Sequence, residues 1–295
     1  MTRADPKPER PRRGALNVHR EPLDPAAPDE PDGRPVVRSI VILELDARER
    51  GNSVDNAMLE ALAGVLAPWI AEPASAPGAI ILRGAGERHF CTGYNLDDLL
   101  DEVAEPEGSI SDEDAHPLEQ ALRALDEVPC PTIARLRGPA FGAGCELALT
   151  CDLRIGDSSA RFCMPPAKLG VLYSLSGIRR LTELVGPGLA REMLYTAAPV
   201  GADRALARGL LNERVEAAEL DARCLAQARR IGANAPLAVR HTKRLIREFL
   251  PRFHDLDEDD RAELKRLRDE CFSSRDFKAA ISAFRTREPV RFEGR

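Results

Sequence analysis

The sequence predicts an α/β fold, on three observations. β-branched runs alternate with amphipathic helical patterns through the first half of the chain. Small-residue turns join strand to helix there, and beyond about residue 165 the pattern is almost wholly helical.

Taken in order, residues 1–35 (MTRADPKPERPRRGALNVHREPLDPAAPDEPDGRP) carry too few apolar groups to offset their chain entropy, so a disordered tail is expected. Order is expected to begin at VVRSIVILELD (36–46), a β-branched run with strand character. An Asn-bearing turn and an apolar-periodic helix around VDNAMLEALAGVLAPWI follow. GAIILRGAG (78–86) reads as the next strand and leads into ERHFCTGYNLDDLL. Leu118, Leu122, Leu125 and Val128 share one helical face, and the PCP after them stops that helix.

TIARLRG (132–138) reads as a strand, and the Gly142/Gly144 turn passes into a helix near Cys145. Two short strands are expected at about 153–157 and 160–164. Helical stretches such as GIRRLTELVG and LAREMLYTA follow, with GPG at 186–188 as a turn. The expected division is a tail (1–35), an α/β core (36–220) and a C-terminal helical region (221–295). That last region would make a poor domain alone, so it is expected to cover the core or to mediate oligomerisation.

Composition narrows the function. The 295 residues carry a formal charge of −6, with 43% hydrophobic and 31% charged residues. An acidic chain is ill suited to nucleic-acid backbones, which are held by excess Lys and Arg. No stretch reaches the ~18–20 apolar residues that span a bilayer, and the first 35 residues contain no apolar secretory core. The seven cysteines form no CxxC pair, which argues against a zinc site or a disulfide framework and for a reducing cytoplasm. Cys91, Cys145, Cys151 and Cys163 sit in apolar company and read as small buried hydrophobes.

Two segments share one design of strand, small-residue turn and helix start: AIILRGAGERHFCTGYNLDDLL and TIARLRGPAFGAGCELAL. Either each is an ordinary tight turn, or their free helix-start amides converge to form an oxyanion hole. Glu146, at the first turn of a helix in apolar surroundings, either steadies the helix N-terminus or serves as a general acid or base raised by desolvation. Tyr173 reads equally as a half-buried aromatic with a satisfied hydroxyl. His89, His116, His241 and His254 lack the pairing of a metal or triad site, and Ser174 and Ser176 lie outside any GxSxG elbow. The acidic run HDLDEDD (254–260) reads as a solvated helix start.

FCTGYNLDDL, PTIARLRGPAFGAGCELALTCDLRI, ARFCMPPAKLGV and RALARGLLNERV, with the terminal SSRDFKAAISAFRTREPVRF, resemble in order the enoyl-CoA hydratase/isomerase (crotonase) superfamily, from about residue 38 to 292. The resemblance implies a crotonase-like spiral of ββα units with a C-terminal helical trimerisation region. It implies an acyl-CoA substrate, homotrimers or homohexamers, and no cofactor or metal beyond the substrate's CoA. By position it gives the oxyanion-hole amides to Tyr94 and Ala143, and a CoA contact to Lys278, with the Arg48/Arg50 region near the nucleotide end.

Hydratases of this family use two glutamates. The first matches Glu146, but the second falls on Pro166, which cannot transfer a proton. PPAKLGVLYSLSGI instead resembles the subgroup that decarboxylates methylmalonyl-CoA, which has a tyrosine in the place of Tyr173. The expected activity is therefore decarboxylation of methylmalonyl-CoA or a related 2-carboxyacyl-CoA, with Tyr173 orienting the carboxylate and Glu146 assisting protonation. The rivals are a hydratase, isomerase or thioester hydrolase using Glu146 alone, and a non-catalytic acyl-CoA-binding homologue.

Overall fold

Ile40, Val41, Ile42, Leu43 and Leu45 favour extended backbone, and all are buried in one strand. Alternate residues of that strand enter different apolar clusters, Val41, Leu43 and Leu45 on one face and Ile40 and Ile42 on the other. A strand buried on both faces is the mark of a sheet covered by helices on both sides. The computed structural model describes residues 14–23, 39–95, 116–170, 172–288 and 290–295.

Among them a six-stranded sheet runs in the order β1-β2-β3-β4-β6-β9. It is built from β1 (Ala15–Pro22), β2 (Ser39–Asp46), β3 (Ala79–Gly84), β4 (Thr132–Leu136), β6 (Leu153–Gly156) and β9 (Glu213–Arg214). β1 is antiparallel to β2, and the remaining neighbours are parallel. A three-stranded sheet, β5-β7-β8, joins β5 (Pro139–Phe141), β7 (Arg161–Cys163) and β8 (Val200–Gly201).

On one face of the large sheet lie α1 (Asn56–Ala71) and α2 (Pro117–Glu127), which bury Leu59, Leu62 and Leu66 beside Leu122 and Leu125 in one core. α3 (Ala143–Thr150) adds Leu147 to it, and the four-residue α4 (Pro166–Leu169) leads to α5 (Leu175–Thr196). α5 is bent at Gly186 (φ 75°, ψ 162°), so the expected GPG turn is a kink between two helical runs. After α6 (Ala202–Ala207), α7 (Leu220–Gly232) lays Leu220, Cys224 and Ala228 on the opposite face of the sheet. The expected boundary at 221 therefore falls one residue into a helix that packs with the core.

α8 (Pro236–Arg244), α9 (Glu258–Ser273) and α10 (Arg275–Thr286) follow. Lys243 on α8 anchors this region by donating to Asp152 Oδ2 (2.7 Å) and to the Cys130 carbonyl (3.1 Å). The acidic run expected to start a helix does so at Asp257, which caps α9 in a reciprocal capping box with Asp260. Among the described residues no helix is long and apolar enough to cross a membrane.

One expectation is corrected. Ala15–Pro22, read as part of a disordered tail, is a strand paired along its whole length with β2, from Ala15 opposite Asp46 to Pro22 opposite Ser39. Backbone pairing holds it, with Leu16 packed against the core. Gly14 N donates to Asp55 Oδ2 (3.1 Å), and Asn17 Nδ2 reaches both Glu44 Oε1 and Asp46 Oδ2 at 3.3 Å. The remainder of that stretch, 1–13 and 24–35, lies outside the described residues.

Candidate active site

The turns of both segments meet, and the helix start expected of the first, at 96–100, lies outside the described residues. Cys91 N donates to the Pro139 carbonyl (3.0 Å) and Phe141 N to the Cys91 carbonyl (3.0 Å), so the first segment lies along β5. On its other side Val54 N donates to the Gly93 carbonyl (2.9 Å) and Asn95 N to the Val54 carbonyl (2.8 Å). Tyr94 thus sits between the two residues that carry the bridge to Val54.

The second segment leaves β5 through Gly142, whose φ of 53° is strained for any residue with a Cβ, and enters α3 at Ala143. The turns touch through their glycines. A Cβ on Gly142 would lie 3.9 Å from Gly93 Cα, and one on Gly93 would lie 3.1 Å from the Phe141 carbonyl oxygen. Gly93 and Gly142 immediately precede Tyr94 and Ala143, so the structure brings the two expected oxyanion residues to adjoining turns. Close packing continues at Gly144, where a Cβ would be 2.3 Å from the Cys91 carbonyl oxygen.

Glu146 lies one residue past the amides that open α3, and its side chain points into the protein with 2% of the residue exposed. Its Oε1 is buried and has no hydrogen-bond partner among the described residues. Burial pushes the carboxyl group up to about 8, with the negative charge of Glu119 adding to the rise and the Arg180 cation opposing it. Tyr173 stands close by, its hydroxyl 3.5 Å from where a Cβ on Gly142 would be. Burial, then the charge of Glu146, holds the phenol well above its ordinary value, so it is a neutral donor. The thiols of Cys91 and Cys145 are buried and likewise held protonated.

The wall opposite is α4 with the residues around it. Pro166 is buried at the first position of α4, and Pro165 Cδ approaches the Gly142 Cβ position to 3.9 Å. The place matched to a second glutamate is filled by a proline ring. Ser174 caps α5 by accepting from Gly177 N (3.1 Å), which fixes the helix start beside Tyr173.

The expected CoA residues divide. The Arg48–Arg50 turn lies against the first segment, since Thr92 N donates to the Gly51 carbonyl (3.0 Å) and Thr92 Oγ1 to the Arg50 carbonyl (3.1 Å). Arg50 is committed to Asp55 (3.2 Å) and Arg48 to Asp46 (3.1 Å). Lys278 is exposed on α10, and no hydrogen bond or ion pair among the described residues joins it to that turn.

Sequence reasoning missed Glu119, Gly177 and Arg180. For Gly177 and Arg180 the signal available was the Ser-x-x-Gly start of α5, a helix-capping pattern followed one turn later by an arginine on the same face, whereas Glu119 left none.

The enoyl-CoA hydratase/isomerase family model matches residues 36–295. The short-chain-enoyl-CoA hydratase of Clostridium acetobutylicum is 37% identical over 206 residues, covering 70% of this chain and 76% of that protein. The methylmalonyl-CoA decarboxylase of Escherichia coli is 34% identical over 216 residues, covering 73% and 80%. The crystal structure of an enoyl-CoA hydratase from Bacillus anthracis superposes with a TM-score of 0.76 at 27% identity, over 95% of this chain and 99% of that one.

Proposed function

The chain belongs to the enoyl-CoA hydratase/isomerase family, and within it we propose that this protein decarboxylates methylmalonyl-CoA or a related 2-carboxyacyl-CoA. The observation that carries the reading is the Tyr173 hydroxyl beside the Gly142 turn, with Pro166 in the place of a second carboxylate. Hydration by two glutamates needs a base to take a proton from water and an acid to deliver one. Decarboxylation needs neither at the bond-breaking step.

In the proposed reaction the substrate carboxylate is held out of the thioester plane by a hydrogen bond from Tyr173. The C–C bond to that carboxylate breaks, its electron pair moves into the thioester, and CO2 leaves. The enolate oxygen receives hydrogen bonds from the Tyr94 and Ala143 amides, which act best where the charge develops. Glu146, protonated below about pH 8, then gives its proton to the α-carbon and is reprotonated from solvent. A neutral Glu146 also spares the incoming carboxylate the repulsion that an ionised one would exert at close range.

On this reading CoA would run along the Arg48–Arg50 turn, with Lys278 as a second phosphate contact. The apolar side chains exposed on the C-terminal helical region, Ile246, Leu250, Phe253 and Phe272 among them, support assembly of several copies, as homotrimers or homohexamers. A second reading, hydration of an enoyl-CoA with Glu146 alone, is favoured by the hydratase relative at 37% identity.

One experiment separates the two. The protein is incubated with methylmalonyl-CoA and, separately, with crotonyl-CoA, and the thioesters are followed by mass spectrometry. Propionyl-CoA formation that collapses in Tyr173→Phe supports decarboxylation. Efficient hydration of crotonyl-CoA without any loss of CO2 from methylmalonyl-CoA overturns it.

A further inference from the structure

Glu146 has two charged neighbours for which the proposed reaction has no use. Glu119, in the first turn of α2, accepts a hydrogen bond from Ser176 Oγ at 3.0 Å. Ser176 Oγ lies 3.0 Å from Ser174 Oγ, the cap of α5. Arg180 follows Ser176 by four residues and Gly177 by three, so the three share one face of α5. That face is the one turned to Glu146, because a Cβ on Gly177 would fall 2.1 Å from Glu146 Oε1. Arg180 Nη1 is buried there without a hydrogen-bond partner among the described residues.

A buried acid is thereby placed between an anion on α2 and a cation on α5, and no hydrogen bond or ion pair among the described residues joins it to either. We propose that Glu119 and Arg180 are opposed positioning residues that tune Glu146, held as an acid by its burial, between acid and base, Glu119 keeping its proton on and Arg180 favouring its release. A fixed negative charge makes ionising a nearby carboxyl group costlier and a fixed positive charge makes it cheaper. Burial weakens the screening that would mute both effects in water. The other titratable groups facing Glu146 are Tyr173 and Cys145, and the thiols Cys91 and Cys163 stand beside those two. Burial keeps the first two protonated and raises both of the others, which leaves Glu119 and Arg180 as the charges that set the balance. The Ser176 hydrogen bond fixes the Glu119 carboxylate on the α5 side of α2, so the helix start that places Tyr173 also places this charge.

The catalytic meaning of this arrangement rests on Glu146 as proton donor in the proposed decarboxylation, but its physical content does not. The test is therefore a titration that needs no substrate. The infrared band of the protonated carboxyl group, assigned by its loss in E146Q, is followed against pH in the full-length protein and in E119Q, R180Q and S176A. The midpoint is expected at about 8 in the unaltered protein, lower in E119Q, higher in R180Q, and lowered less in S176A than in E119Q. Opposite displacements from two neighbours are something a merely structural role does not produce. An unchanged or raised midpoint in E119Q overturns the proposal, and that variant decides alone if R180Q fails to fold, because Glu119 is only half-buried. Opposed shifts in a protein that leaves methylmalonyl-CoA untouched would sink the decarboxylase reading and leave this one standing.

Discussion

Gly177 and Glu146 oppose each other across the site with no room for another atom between them: a Cβ on Gly177 would lie 2.1 Å from Glu146 Oε1 and 3.2 Å from its Cδ. Glycine is required here by close approach, since it lies inside a helix where its backbone freedom is a cost. In Gly177→Ala the methyl group meets a movable carboxyl end, so the chain folds with a melting temperature within a few degrees of the parent. Displacing that carboxyl by about 1 Å is expected to lower kcat/KM roughly 100-fold. An alanine variant with parental kcat/KM on its thioester substrate would show that the position of Glu146 is not critical.

Stability should carry the signature of the buried acid. The folded-state value of Glu146, about 8, exceeds the ordinary 4.5. Between those two pH values the folded protein binds more protons than the unfolded chain, so this group makes stability fall as pH rises, with the loss complete above about 8. Glu146→Gln does not titrate. Relative to the parent it should therefore gain stability across that window, by an amount on the order of 5 kcal/mol once both limits are passed. Urea denaturation at pH 5 and pH 9 measures it, and a difference that does not grow with pH would contradict the raised value.

The rate should report the same group from the other side. If protonated Glu146 quenches the enolate, decarboxylation declines as pH rises through about 8, and Glu146→Gln removes that limb. Tyr173 contributes no limb of its own, because its phenol stays neutral far above that range. Tyr173→Phe should lower decarboxylation about 100-fold or more, as loss of the group that orients the reacting carboxylate does, while leaving the pH limb in place. A phenylalanine variant as active as the parent would remove Tyr173 from the mechanism.

Asn52 offers a test away from the chemistry. It is buried with φ of 57°, its Nδ2 donating to the Ala85 carbonyl (2.9 Å) and the His89 carbonyl (2.8 Å) and its Oδ1 accepting from Ala47 N (3.2 Å). One side chain thus stitches the Arg48–Arg50 turn to the loop that leads to Tyr94. Asn52→Ala strands buried polar groups and keeps the unfavourable φ, at a cost of about 3 kcal/mol. Asn52→Gly should recover the backbone part alone, which calorimetry of the two variants would resolve.

How much of this could be read from the sequence depended on which force held each part. β2, β3 and β4 declare themselves because strands buried on both faces must be continuous apolar runs. β1 is held by its ladder to β2 and by the Gly14–Asp55 and Asn17 hydrogen bonds, none of which leaves an apolar pattern. Glu146 stood out as a carboxylate in apolar company, and Tyr173 through the resemblance of its surroundings. Glu119, Gly177 and Arg180 did not, because their importance comes from helices α2, α3 and α5 meeting in space. A charge 27 residues before Glu146 looks like any exposed helix start until α5 closes over it.

The edge position of β1 has a practical consequence for anyone shortening the chain. Residues 1–35 look expendable, and deleting them would strip the sheet's border. β1 presents His19, Arg20, Glu21 and Pro22 along that border, residues that foreign strands pair with poorly. Beneath it, β2 would offer the newly bared backbone of SIVILELD, a sticky template for its own copies. The trimmed protein should clump during expression, so a shortened chain has to keep Gly14 and the strand that follows it.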